Sequence, residues 1–257
     1  MASPGGKLPT MVRRTTRILP TAKRLSNKTA LITGATRGIG LALARVLAHE
    51  GANLILTARN EKSLKQLGRE LIAPKILAHS CDVSDPHEVD NLFRAIRSEF
   101  RKVDVVINNA GIAHANLLVD NLPYPVWKDV FATNVDGTFL VTQASLPMMK
   151  RGGTIVNNLS IAATRVFAGS AAYNASKHAA LGFTNTLREE LRARGIRVIG
   201  LLPGATNTDI WKTLWPQAPR KKMISPETIA KAVVEAILLP PNATVENLEI
   251  LPTAGTL

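Results

Sequence analysis

From Lys28 onward, short apolar runs alternate with longer stretches in which apolar residues recur every three or four positions. The short runs have a strand's length and carry apolar side chains at consecutive positions, as strands covered on both faces do. They are TALITG (Thr29–Gly34), ANLILTAR (Ala52–Arg59), PKILAHSCDV (Pro74–Val83), VDVVINNAG (Val103–Gly111), GTIVNNLS (Gly153–Ser160), IRVIGLLPG (Ile196–Gly204) and VENLEILP (Val245–Pro252). Between them the spacing predicts helices. Gly38–His49 carries a stripe of Ile39, Leu43, Val46 and Leu47, and Glu61–Leu71 follows the second strand. Asp85-Pro86 opens a helix through Phe100, with Pro86 in the first turn, where a missing N–H costs nothing. Trp127–Met149 and Ala172–Arg194 read as single long helices, and Thr228–Leu239 follows Ser225-Pro226. Strands separated by helices predict an α/β fold: a doubly wound parallel sheet with helices on both faces, in a single domain. Such a sheet places its ligand crevice at the C-terminal ends of the strands.

The 257 residues suffice for one well-filled domain, and a composition of 46% hydrophobic and 20% charged residues is that of an ordinary globular chain. We assign residues 26–257 to that domain. Residues 1–25 are rich in Pro, Gly, Ser and Thr and read as a flexible basic arm. The arm is arginine-rich and acid-free, which also suits an organelle transit peptide, although Pro4, Gly5, Gly6 and Pro9 would break an early amphipathic helix. Met11 offers a second possible start. The expected location is therefore the cytoplasm, or an organelle matrix if the arm is a targeting segment.

The net charge of +13 is uneven: Lys7, Arg13, Arg14, Arg17, Lys23, Arg24 and Lys28 all precede the first acid, Glu50. Such a charge can steer an anionic ligand or simply be solvated. Aromatics make up only 4% and are not interleaved with basic runs, so nucleic-acid binding is not expected. No apolar run approaches the roughly eighteen residues that a membrane span needs. The single cysteine, Cys81, excludes an internal disulfide and a thiolate metal cluster. Five scattered histidines offer no metal site either.

Chemistry enters with TGATRGIG, Thr33–Gly40, between a predicted strand and a predicted helix. Gly34, Gly38 and Gly40 let the backbone turn tightly and approach a pyrophosphate, whose charge meets the helix N-terminus. That setting marks a Rossmann-type dinucleotide loop, with Thr36, Arg37 and Ile39 as further contacts. The second strand of such a fold usually ends in an acid that binds the ribose hydroxyls. Here Ala58 stands near that position and Arg59 follows. With no carboxylate to repel a 2′-phosphate, and with Arg37 and Arg59 to grip one, the sequence favours NADP(H) over NAD(H).

A second signal is Tyr173, with Lys177 four residues later and Ser160 thirteen residues earlier. On a helix the i,i+4 spacing sets the ammonium beside the phenol. A neighbouring ammonium favours the phenolate and makes proton transfer feasible. The spacing alone also suits a structural tyrosine; beside a dinucleotide loop it points to a redox site moving a hydride and a proton.

These motifs together resemble the short-chain dehydrogenase/reductase family, over roughly Ser26 to Pro252. The loop matches the family's TGxxxGxG, and NNAG is Asn108-Asn109-Ala110-Gly111. The active-site asparagine falls on Asn134, the serine on Ser160, YxxxK on Tyr173 to Lys177, and the PG motif on Pro203-Gly204 with a following Thr208. The resemblance implies that Asp82 and Val83 contact adenine and that Asn109, Ala110 and Gly111 wall the adenosine side. It further implies Tyr173 as proton donor or acceptor, Ser160 as a hydrogen-bond partner of the substrate oxygen, and Lys177 as a depressor of the phenol pKa that also binds the nicotinamide ribose, with Tyr173, Pro203, Gly204 and Thr208 as further cofactor contacts. Asn134 would hold a water linking Lys177 to solvent. The family's N-[IV]-S-S before the serine is NNLS here, and the usual GG turn before the last strand is replaced by PPNATVENLEILPTAG.

The implied function is NADP(H)-dependent interconversion of a carbonyl (ketone, aldehyde or 3-oxoacyl group) and an alcohol. The alternative from another class is a non-catalytic cofactor-binding regulatory or scaffold protein, but a chain without turnover has no chemical reason to keep the full Asn134, Ser160, Tyr173, Lys177 set. The segment 205–225 should border the substrate, with Ile210, Trp211, Leu214 and Trp215 as apolar wall and Arg220-Lys221-Lys222 as a basic end that meets an anion or is solvated. Phe167, Leu117 and His114 are further expected walls. A mostly apolar carbonyl or secondary alcohol is favoured over a sugar. Family resemblance also implies a homodimer or homotetramer paired through the two long helices.

Overall fold

The structure is a computed structural model and describes residues 23–255. Seven strands form one sheet: β1 (Thr29–Thr33), β2 (Asn53–Ala58), β3 (Ile76–Ser80), β4 (Val105–Asn108), β5 (Thr154–Asn158), β6 (Arg197–Pro203) and β7 (Asn247–Ile250). Their spatial order is β3-β2-β1-β4-β5-β6-β7, and every neighbouring pair is parallel. Successive strand residues point to opposite faces. In β1 Ile32 packs with the first core and Leu31 with the second; in β4 Ile107 and Val106 divide in the same way. This is why the central strands read as continuous apolar runs rather than alternating ones.

One face is covered by α1 (Gly38–His49), α2 (Glu61–Glu70) and α8 (Pro226–Ile237), through Leu43, Leu47, Leu64, Val233 and Ile237. The other is covered by α3 (Pro86–Glu99), α5 (Gly137–Ser145) and α6 (Ala171–Arg192), through Leu92, Phe93, Ile96, Val141 and Leu187. Helix starts follow the side chains that cap them. Asn60 accepts from Ser63 N at 2.8 Å, Asp85 from His87 N at 2.8 Å, and Ser225 from Thr228 N at 3.1 Å. Chain order reverses between β1 and β4, which opens the crevice at that switch point.

The expected helix Trp127–Met149 is divided. α4 (Tyr124–Phe131) passes into a π-helical turn, Ala132–Asp136, then α5, then a 3-10 turn at Leu146–Met148. Apolar periodicity carries no record of a widened turn. The close packing just after it is visible at Gly137, where a Cβ would lie 2.6 Å from Val83 Cγ2. Widened turns of this kind gather at functional sites.

The arm lies mostly outside the described residues, so its targeting and start-site readings do too. Its last residues already belong to the folded body. Leu25 is buried, its amide donates to Glu50 O at 2.9 Å, and Arg24 bridges Glu50 and Glu235 at 2.6 and 2.9 Å. Two short elements not foreseen in the sequence lie in segment 205–225: α7 (Trp211–Leu214) and a 3-10 turn at Arg220–Lys222. Among the described residues no helix is long and apolar enough to cross a membrane, and no cluster of His, Cys, Asp and Glu has the arrangement of a metal site.

Candidate active site

The strand ends β1, β2, β3, β4, β5 and β6 open onto one continuous cleft of about 1110 Å³. Its floor is set by how closely backbone packs at the glycine loop. Gly34 and Gly38 take positive φ of 63° and 55°, a region that favours glycine. A Cβ on Gly40 would meet Gly34 O at 2.3 Å and Asn109 Nδ2 at 2.5 Å, so no side chain fits there. The loop is held from beneath: Asn109 Nδ2 donates to Thr33 O at 2.9 Å and Gly34 O at 3.1 Å. In return Thr33 Oγ1 accepts from the amides of Asn109 and Ala110, both at 2.9 Å. α1 then starts at Gly38 with no side-chain cap, leaving its first amides to face an anion. Bare backbone, positive φ and uncapped amides fit a dinucleotide pyrophosphate.

Along the adenosine side, Ala58, Arg59, Asn60, Ser63, Asp82 and Val83 line the cleft, with Arg37 across from them in the loop. Arg37 is exposed, and the Arg59 side chain is 63% exposed with Nη1 3.8 Å from Asp82 Oδ2. Burial pushes the Asp82 carboxyl up, but hydrogen bonds from the Ser84 hydroxyl and amide and the Arg59 guanidinium outweigh it and hold the carboxyl below its ordinary range. Cys81 also borders this side; burial, with nearby carboxylates, pushes its thiol up to about 12, so it is inert.

At the other end, Ser160 follows β5 and Tyr173 lies in the first turn of α6, with Lys177 one turn later. Lys177 is 6% exposed; its ammonium donates to Asn158 O at 2.9 Å and lies 5.6 Å from the Tyr173 ring centre. The i,i+4 spacing therefore does bring the two together, but the hydrogen bond goes to the β5 carbonyl. Burial pushes the Tyr173 phenol up, while contact with the Ser160 hydroxyl pulls it back. Part of the Tyr173 surface remains open to the cleft, so solvent or a ligand moderates that burial. Burial also pushes Lys177 down, to about 8. In this arrangement the Ser160 hydroxyl is the group that lowers the phenol by direct contact.

Asn134 sits in the π-helical turn, 2% exposed, and clamps the chain after β4. Its Oδ1 accepts from Ile112 N at 2.8 Å, and its Nδ2 donates to Ile112 O at 2.9 Å and Ser176 Oγ at 3.0 Å. Gly111 passes between it and the lysine: a Cβ there would lie 3.2 Å from Asn134 Oδ1 and 3.6 Å from Lys177 Nζ.

Of the residues singled out in the sequence, Asn109, Ala110 and Gly111 line the cleft's middle, and Pro203, Gly204 and Thr208 its far wall. Thr36 and Ile39 line it beside the glycines, whereas Gly40 and Asn134 stand just behind the lining. Of the substrate walls, Phe167, Ile210, Trp211, Leu214 and Trp215 do face the cleft. His114 and Leu117 do not. His114 is buried with Nδ1 2.7 Å from Ala115 O, and Leu117 is drawn aside by its amide bond to Gly169 O at 2.9 Å.

The basic end of the segment is divided as well. Arg220 Nη1 donates to Asn207 Oδ1 at 3.1 Å and to Thr208 O, bracing the segment from behind, while Lys221 and Lys222 are exposed and away from the cleft. Trp211 Nε1 donates to Thr206 O at 2.8 Å, which fixes the indole.

Residues 28–219 match the family profile described as short chain dehydrogenase. The chain belongs to the short-chain dehydrogenase/reductase family. It is 36% identical over 241 residues to the 3-oxoacyl-[acyl-carrier-protein] reductase FabG of Vibrio cholerae, a match covering 90% of this chain and 97% of the relative. Among solved structures it is similar to an alcohol dehydrogenase of Thermococcus sibiricus complexed with 5-hydroxy-NADP, with TM-score 0.82, 31% identity and coverage of 88% and 97%. A 3-ketoacyl-(acyl-carrier-protein) reductase of Brucella melitensis complexed with NADH gives TM-score 0.81, 30% identity and coverage of 89% and 98%.

This short-chain dehydrogenase/reductase is thus an NAD(P)(H)-dependent oxidoreductase acting on carbonyl and alcohol groups. Sequence reasoning missed several polar residues that line the cleft, among them Asn60, Ser63, Asn116 and Asn158; the last lies two residues before Ser160, on the same side of the strand.

Proposed function

We propose that the enzyme is an NADP(H)-dependent reductase of a mostly apolar carbonyl compound. The observation that carries this is one cleft with Arg37 and Arg59 at its adenosine end and Ser160, Tyr173, Phe167, Trp211 and Leu214 at the other. The cofactor supplies the hydride. Tyr173 donates the proton to the carbonyl oxygen, and Ser160 hydrogen-bonds that oxygen as its charge develops. Lys177 places a positive charge behind the phenol and is the cleft group suited to ribose hydroxyls. Asn134 fixes Ile112 and hence the chain that passes Lys177, and its remaining acceptor capacity is where a water would be held.

A panel of apolar ketones, aldehydes and 3-oxoacyl thioesters with NADPH tests the reading; absence of turnover across the panel would sink it. The Vibrio cholerae relative favours a second reading, reduction of 3-oxoacyl thioesters, which the same panel separates.

Proton supply gives a sign for the pH dependence. The Tyr173 phenol, pushed up by burial, stays protonated through neutrality, whereas Lys177 loses its charge as pH rises through about 8. Reductive kcat/KM should therefore be highest below that value and fall above it. A flat profile between pH 7 and 9.5 would contradict the role given to Lys177.

The homo-oligomer reading is carried forward on α5 and α6, where Phe139 is 44% exposed and packs edge-on against Phe183 at 6.0 Å. Light scattering at micromolar concentration should give a dimer or tetramer mass; a monomer mass would refute it.

A further inference from the structure

Two adjacent asparagine pairs cross the β4–β5 boundary. Asn108 and Asn157 are in register, and their side chains bond to each other at 2.8 Å and onward to Thr142 of α5 and Thr184 of α6. That pair fastens the sheet to its helices. The second pair, Asn109 and Asn158, lines the cleft. Asn158 Nδ2 donates to Asn109 Oδ1 at 2.9 Å, and the main-chain carbonyl of Asn158 accepts from Lys177 Nζ at 2.9 Å.

The orientation of this second pair follows from chemistry. Thr33 O and Gly34 O can only accept, so the Asn109 group facing them is the NH₂. Asn109 must then present Oδ1 to Asn158, and Asn158 must answer with its own NH₂. This leaves Asn158 Oδ1 buried without a protein partner. An unsatisfied buried oxygen is costly, and an apolar side chain would avoid it. The amide at 158 is therefore explained by what its N–H does.

We infer that Asn158 is a positioning residue: its side chain ties the asparagine that holds the glycine loop to the strand end whose carbonyl holds Lys177. The cofactor cradle and the reacting end of the cleft are thereby set by one hydrogen-bonded line: Gly34 O, Asn109, Asn158, Lys177. The inference rests on the reading of Lys177 as the ammonium behind the reacting phenol, but the coupling itself can be measured without turnover.

The test compares Asn158→Val, which removes the donor, with Asn158→Asp, which keeps the shape and turns an acceptor toward Asn109 Oδ1. In cofactor-free protein, hydrogen exchange at the Asn109 and Ala110 amides should quicken in both variants. The NADPH Kd, read by fluorescence titration, should weaken by roughly five- to tenfold in the Val variant and at least as much in the Asp variant, the scale of one lost hydrogen bond. In an Asn109→Ala background the Val substitution should add less than twofold. The alkaline limb of reduction should also move in pH, because the lysine's acceptor shifts; a merely structural loss would lower activity equally at every pH.

Unchanged exchange and Kd in a folded Val variant would overturn the inference. So would an Asp variant tolerated better than Val, or effects at 109 and 158 that simply multiply. If the Val variant does not fold, the Asp variant decides. If Lys177 variants keep full turnover, the proposed role of the lysine fails, while exchange and Kd still decide the coupling.

Discussion

Tyr173→Phe is expected to lower kcat by roughly 10²–10⁴-fold, the usual worth of general acid–base help. The substitution removes only the hydroxyl. The ring keeps its place in the first turn of α6, with the Lys177 ammonium 5.6 Å from its centre, so packing and fold should be retained. Ser160 stays in the cleft and can still hydrogen-bond a carbonyl oxygen, but an aliphatic hydroxyl is a far weaker acid than a phenol and cannot replace it as proton donor. Cofactor Kd should change far less than kcat, because the glycine loop, Arg37 and Arg59 are left intact. Steady-state kinetics with a titration of NADPH separates the two effects. Near-normal turnover with unchanged substrate would remove Tyr173 from its proposed role.

The second large effect concerns cofactor choice. Replacing Arg37 and Arg59 together with Ala should cost NADPH kcat/KM roughly ten- to hundredfold per arginine, on the scale of hydrogen bonds to charged groups. NADH should lose little. Both arginines are largely solvent-facing, and Arg59 must leave Asp82, 3.8 Å away, to reach a phosphate, so values toward the lower end are expected. The loss should shrink at high salt.

Ala58→Asp should act in the opposite sense on the two cofactors. It adds a carboxylate that repels a 2′-phosphate and accepts from free ribose hydroxyls. Ala58 is the last residue of β2, paired with Ser80 of β3, and opens onto the cleft, so the new carboxylate would face the ligand. The measurement is the NADPH/NADH ratio of kcat/KM in wild type and each variant. Equal losses for both cofactors in the double arginine variant, or a wild-type preference for NADH, would overturn the NADP(H) assignment.

What the sequence determined by itself was whatever depends on local pattern. The apolar runs of β1, β2, β4, β5 and β6 became parallel strands because runs covered on both faces have no polar side to show, whereas β7 at the sheet edge alternates exposed Asn247 and Glu249 with half-buried Leu248 and Ile250. Gly34, Gly38 and Gly40 announced the cradle because only glycine tolerates its φ values and its 2.3 Å approach. Tyr173 and Lys177 announced the end of the cleft proposed to react, because one helical turn fixes their side-by-side placement.

What only the tertiary structure decided depends on partners distant in the chain. The π-helical turn at Ala132–Asp136 is set where Asn134 reaches Ile112 and Gly137 meets Val83, contacts that no apolar period encodes. Lys177 stands beside the phenol as its spacing implied, but that its ammonium bonds a carbonyl of β5 and that burial shifts both groups were set by the assembled elements. His114 read as a pocket wall, yet its ring is buried off the cleft with Nδ1 2.7 Å from Ala115 O. Asn158 looked like one more strand residue until β4 and β5 came into register and set it against Asn109. Hydrogen-bond geometry and desolvation are properties of the assembled neighbourhood, and the order of residues along the chain carries them only through the fold it produces.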